Sequence, residues 1–156
     1  MMFATHFKRV VCGILLCAAA PFALAHGDED SVTQAIEYRQ SLMDVYLWNV
    51  KPMGAMVKGK REYDQAAFAR YAADLAAASK LELLAAFPED SDKSDETDAL
   101  PDIWLDFEGF KNKLTALQEA AAALKTAAES GDEAKTKAAF GDVGKACKGC
   151  HESFRE

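Results

Sequence analysis

Apolar positions recur along this chain with a spacing of three and four, the period of an α-helix that buries one face. In the first run Ile36, Arg39, Met43, Tyr46, Val50, Met53 and Val57 share a face, opened by Ser31 with Gln34 three residues on, a capping-box pair. Pro52 is expected to kink or end this helix, and Gly59 to stop it. Asp64 can cap a second helix, in which Phe68, Tyr71, Leu75, Ala78 and then Leu81 or Glu82 continue the spacing until Phe87 and Pro88 close it. A third run starts at Pro101 and Asp102 and carries Ile103, Phe107, Phe110, Leu114, Leu117, Ala121, Leu124 and Ala128 in strict four-three alternation up to Gly131. A fourth begins near Asp132 and aligns Phe140, Val143, Cys147, Cys150 and Phe154 on one face. Four amphipathic helices with mostly short connections predict an all-α fold, an antiparallel four-helix bundle. The exception is the stretch 88–101, an acidic connector long enough to edge a pocket.

The chain has 156 residues, and the first 25 read as a secretory signal. Lys8 and Arg9 precede an apolar stretch over 10–20, and Ala23-Leu24-Ala25 forms a small-residue cleavage site, which predicts a processed chain beginning at His26. The domain reading is therefore 1–25 signal peptide and 26–156 one bundle domain. Cys12 and Cys17 leave with the signal. The signal holds two of the 18 basic residues and none of the 25 acids, so processing moves the net charge from −7 to −9. Such a surface argues against nucleic acid and anionic membranes, and favours a basic partner. No other stretch is long and apolar enough to predict stable membrane insertion.

The processed chain keeps two cysteines, Cys147 and Cys150, followed at once by His151. Cys-x-x-Cys-His is the attachment pattern of c-type haem: two thiols one helical turn apart add to the vinyl groups of one porphyrin, and the adjoining imidazole reaches the iron. A thioredoxin-like pair would need a βαβ context and zinc would need four ligands; chance or a plain disulfide is the remaining alternative. Gly141, Gly144 and Gly149 on the same helix are expected to make room for the macrocycle and for a neighbouring helix.

The other side of the iron decides the function. His26 stands at the predicted N-terminus, which leaves Met43, Met53, Met56 or no protein ligand. Met43, mid-helix on the core face, is the candidate sixth ligand, and simple core packing is the alternative. A Met/His pair makes a low-spin iron suited to electron transfer, whereas an apolar, unligated distal face binds NO or CO. A peroxidase would want a distal acid–base residue, and none is offered. Arg39 on a core face needs a partner, for which a haem propionate is one reading and snorkelling at the bundle end the other.

Several stretches resemble the cytochrome c prime family, low-spin c-556-type members included. Tyr38-Arg39-Gln40-Ser41 resembles its first-helix motif, and Lys58-Gly59 with Tyr63-Asp64 its first turn. Pro101-Asp102-Ile103-Trp104 resembles the opening of its third helix, and Phe140 onward through Arg155 its haem-bearing last helix. The resemblance implies a periplasmic four-helix bundle, commonly a homodimer, with one covalent haem c. Residues matching Cys147 and Cys150 attach the haem, and His151 is the proximal iron ligand. Arg39, Gln40 and Arg155, with Asp98 from the acidic loop, match positions near the haem edge, and Met43 takes the distal position. Members both with and without a ligating methionine there are known. The reading is an electron carrier, not an enzyme, working with periplasmic redox partner proteins; the alternative is a binder of diatomic gas. Leu47 and Trp48, off the main stripe, could serve a dimer interface.

Overall fold

The computed structural model describes residues 27–156, with side chains from residue 31 onward. The expected signal peptide and His26 lie outside these residues. Helix α1 spans Gly27–Val57 and contains Pro52. The chain is already helical at Gly27, so the Ser31–Gln34 pair lies within the helix instead of opening it. Nor does Pro52 end it: the chain stays helical to Val57, and Gly59, at φ +65°, closes the turn by donating its N–H to Met56 O at 3.1 Å.

Helix α2 covers Gln65–Ala78 and is capped by the Asp64 carboxylate, which accepts the Ala67 N–H at 2.9 Å. It ends earlier than its spacing predicts. Ser79 folds its hydroxyl back onto Ala76 O at 3.0 Å, and Leu81 beyond it is 50% exposed. A 3-10 turn, Leu84–Ala86, then leads into the acidic loop. The third run divides in two, α3 (Asp102–Leu105) and α4 (Phe107–Glu129). Between them Asp106 leaves helical geometry at φ −132°, ψ 60° and caps α4 through the Gly109 N–H at 3.0 Å. Four-three spacing reports which residues share a face; a capping aspartate within it signals the break, at the cost of one position. Phe107, expected in the stripe, is 39% exposed, while Phe110, Leu114, Leu117, Ala121, Leu124 and Ala128 are buried. Helix α5 covers Glu133–Phe154, capped by Asp132 on the Lys135 N–H at 3.0 Å.

The long helices α1, α2, α4 and α5 form the four-helix bundle. Contacts are densest between α4 and α5, substantial for α2 with α4 and α1 with α2, and sparse between α1 and α5. The bundle is thus an open one along its α1–α5 seam. The main core joins Tyr46, Met53, Phe68, Leu75, Leu124 and Val143. A second cluster, Ile103, Phe110 and Phe154 with Phe87, Trp104 and Cys150 against it, fills the end near the C-terminus. On α1 the buried row runs through Ile36, Arg39, Leu42, Tyr46, Asn49, Met53 and Met56, one position off the predicted Met43–Val50–Val57 edge. Met53 and Met56 are core packing residues, which removes them as candidate iron ligands. Among the described residues no helix is long and apolar enough to cross a membrane.

Candidate haem site

One turn of α5 carries the chemistry. Cys147 and Cys150 are free, half-buried thiols. Cys147 packs at the edge of the main core, and Cys150 against the second cluster. Burial pushes both thiols above their ordinary range, and Lys113 pulls Cys150 part of the way back. Both therefore stand protonated near neutrality, the form that adds S–H across a vinyl group. His151 lies at the surface beside them. Its partial burial, and then the positive charge of Arg155, hold its imidazole below the usual histidine range, so the neutral, iron-ligating form is favoured.

Gly144 precedes His151 by seven residues and shares its face of α5. A Cβ built at Gly141 or Gly144 would meet nothing within 4 Å, and at Gly149 only the Lys113 Nζ at 3.6 Å. Beside Gly149 the neighbour is thus α4, through Lys113, while nothing approaches the Cβ positions of Gly141 and Gly144, so the space alongside the His151 face is open there. Across it, α1 contributes Tyr46, which lies close enough to Cys147 for their charges to interact. Burial first, then Tyr38 and Cys147, pushes the Tyr46 phenol up to about 12. Met43, three residues before it, is 37% exposed at the border of the buried row.

The acidic loop straps this end of the molecule together. Arg39, only 4% exposed, lays its guanidinium 4.6 Å from the Phe87 ring centroid. It donates to Ala86 O at 3.0 Å, Ser91 Oγ at 2.8 Å, Ser91 O at 2.7 Å and Thr97 Oγ1 at 2.6 Å. The snorkelling reading of Arg39 is overturned: its head points inward and is met by the loop, because a buried guanidinium cannot be left unpaired. Gln40 donates to Glu96 O at 2.6 Å. At the other end of the loop Asp98 Oδ2 accepts from Arg155 Nη2 at 2.7 Å and Nε at 3.1 Å. A single antiparallel bridge joins Ala99 to Arg155, and Leu100 donates its N–H to Phe154 O at 3.1 Å. The strap thus ties the first half of α1 to the last turn of α5.

The predicted residues therefore fall into three groups: Cys147, Cys150 and His151 on one turn of α5, Arg39 and Gln40 on α1 and bonded to the strap, and Asp98 paired with Arg155. Met43 stands apart on α1. Sequence reasoning missed Ser91 and Thr97. Arg39 announced that a partner must exist but not which one.

A haem is a flat apolar body with two carboxylates and an iron that asks for one protein nitrogen. The residues present fit it: two protonated thiols one turn apart, a neutral imidazole beside them, and an open seam with an aromatic cluster at its end. Cys147, Cys150 and His151 could hold it. A bare ion is less well served, since no group of three or more His, Cys, Asp or Glu side chains among the described residues is placed to chelate one. A shallow groove of about 560 Å³ between α4 and α5, floored by alanines and edged by Lys113, Asp142 and Lys145, includes neither thiol nor His151.

Residues 34–155 match the family described as Cytochrome C'. A cytochrome c' from Halomonas halodenitrificans is 43% identical over 126 residues, covering 78% of this chain and 95% of that one. The solved cytochrome c prime from Shewanella frigidimarina superposes with a TM-score of 0.76 at 45% identity, over 80% of this chain and 96% of that one. The nitric oxide complex of a leucine-to-alanine mutant of cytochrome c prime from Alcaligenes xylosoxidans superposes with a TM-score of 0.72 at 38% identity, over 80% and 95% of the two chains.

Proposed function

Because this chain belongs to the cytochrome c' family and, with that family, binds haem c covalently, we propose that it is an exported, periplasmic carrier of single electrons. Cys147 and Cys150 form the thioethers, His151 is the proximal iron ligand, and Met43 on α1 supplies the distal side. The observation that carries this reading is the single α5 turn that holds two protonated thiols and a neutral imidazole beside an open seam. Tyr46, its phenol pushed up to about 12, is a poor acid–base group near neutrality, and no histidine or carboxylate shares the α1 row of Tyr38, Met43 and Tyr46 that borders the seam, which favours a carrier over an enzyme. The acidic surface suits basic redox partners. The α1 residues Leu47 and Trp48, the latter 75% exposed, are apolar surface for a homodimer.

A second reading, binding of a diatomic gas, is favoured by the relative solved with nitric oxide and by the exposure of Met43, which is not locked into the core. Spectra of the ferrous holo-protein with and without CO separate the two. Under the carrier reading the wild type is low-spin with sharp α and β bands and little response to CO, and Met43→Ala becomes high-spin and CO-responsive. A high-spin wild type that binds CO, with a spectrum unchanged by Met43→Ala, overturns the carrier reading in favour of gas binding.

A further inference from the structure

Four consecutive exposed residues, Leu105-Asp106-Phe107-Glu108, join α3 to α4. Leu105 is 83% exposed, the most open large apolar side chain among the described residues, and Phe107 is 39% exposed. The backbone sets them there. Helix α3 buries Ile103 in the second cluster, so Leu105, two positions on, points about 200° away around the helix. Asp106 then leaves helical geometry to cap α4, and a Cβ at Gly109 would run into its carboxylate, so the break depends on glycine there. An unbroken helix would carry Phe107 into the buried stripe of Ile103 and Phe110. The break leaves Phe107 at the surface instead, its ring tilted against buried Phe110 at 6.1 Å. Phe110 packs on Phe154 at 5.4 Å, and Cys150 packs against the same cluster. The exposed pair is thus the outer layer of the apolar end beside the haem-attachment turn.

The charge around the pair says which partner fits. Residues 89–108 carry nine carboxylates and one base, Lys93, a net charge of −8, against −9 for everything from residue 26 onward. Arg39, Lys111 and Arg155 reach this segment from outside it, through Ser91, Glu108 and Asp98, and still leave it at −5. A second copy of this chain would set like charge on like, and so would an anionic membrane. An apolar contact ringed by carboxylates is complementary to a protein that sets an apolar contact among lysines and arginines: charge steers the encounter, and the apolar pair makes the close contact. We propose that Leu105 and Phe107, ringed by Asp102, Asp106 and Glu108, are the docking surface for a basic redox protein. The proposal rests on the electron-carrier reading and gives it a place. A partner seated here stands one ring contact from the cluster that touches Cys150.

The test titrates the ¹⁵N-labelled, reduced holo-protein with reduced mitochondrial cytochrome c, a lysine-rich redox protein, as the probe. Amide shifts are expected to centre on 102–108. Leu105→Ser, harmless to the fold at so open a position, is expected to weaken binding roughly tenfold at fixed salt. Asp102→Asn combined with Glu108→Gln is expected to weaken it to a similar degree and to flatten its salt dependence. Glu129→Gln, about 30 Å away at the far end of α4, is expected to bind as the wild type does. Shifts centred on another face overturn the proposal. So does a Leu105→Ser variant that binds like wild type, the result of charge attraction without a docking site. A free protein whose sedimentation mass falls on Leu105→Ser marks a second copy as the occupant and overturns it too. With a low-spin wild type indifferent to CO, any of these defeats this proposal alone. A high-spin wild type that binds CO, its spectrum unchanged by Met43→Ala, defeats the carrier reading beneath it.

Discussion

Arg39→Met is expected to destabilise the folded protein by roughly 3 kcal/mol, read as a lowered urea midpoint with an unchanged slope. The substitution keeps much of the side-chain bulk and removes the charge, so its effect isolates the polar partners. Three acceptors on the strap, Ser91 Oγ, Ser91 O and Thr97 Oγ1, and a fourth on the 3-10 turn before it, Ala86 O, lose their donor together. An unpaired buried acceptor costs about 1–3 kcal/mol, and the total falls short of four such terms because the strap can swing out to water. Arg39→Lys is expected to recover less than half of the loss: an ammonium gathers its donors on one atom, whereas the guanidinium spreads them over Ser91, Thr97 and Ala86 at once. Burial already pushes the Arg39 pKa down, with Asp92 opposing, so the charge is retained because the strap solvates it. Hydrogen exchange over 88–101 should rise in Arg39→Met, since the arginine anchors that loop to α1. A loss below about 1 kcal/mol would show that the strap holds itself.

His151→Ala is expected to abolish the wild-type spectrum in the whole population while leaving the haem covalently bound. In the proposed site the thioethers come from Cys147 and Cys150 and the axial nitrogen from His151; of the other two histidines, His6 falls in the expected signal peptide and His26 at the expected N-terminus. Added imidazole should restore a wild-type-like spectrum. The open space along the Gly141–Gly144 face gives a small ligand a way in, and burial with Arg155 nearby already favours the neutral ring at that place. Visible spectroscopy with an imidazole titration checks this. A variant spectrum identical to wild type would remove His151 from the iron.

How much of this was legible in the chain follows from the range of the interactions. Helical spacing is local, and it located all four long helices, the start of α5 near Asp132, and Cys147 and Cys150 on the core-facing side of α5, while residue type gave the cap Asp64. Ends were less legible. The end of α2 was set by Ser79 bonding back to Ala76, and the break at Asp106 by a cap that the four-three pattern ran through. Met43 and Leu42 show the limit of periodicity. Adjacent apolar residues on a helix differ by about 100° of face, and which is buried depends on where α2 packs. The polar partners were out of reach. Arg39 finds Ser91 and Thr97 across more than fifty residues of chain, and nothing in the sequence around 88–101 marks those two from its other polar residues. Asp98 with Arg155 was recoverable only through family resemblance, which placed both at the same edge without pairing them.

The central claim is that α5 carries the haem at Cys147 and Cys150, and peptide mass mapping of the purified, acid–acetone-washed protein tests it most directly. The account predicts one haem mass on the peptide containing both cysteines, no free thiol there, and complete loss of covalent haem in the double variant Cys147→Ser, Cys150→Ser. A haem-free peptide with both thiols open to alkylation, from protein produced with a haem-attachment system, would contradict it.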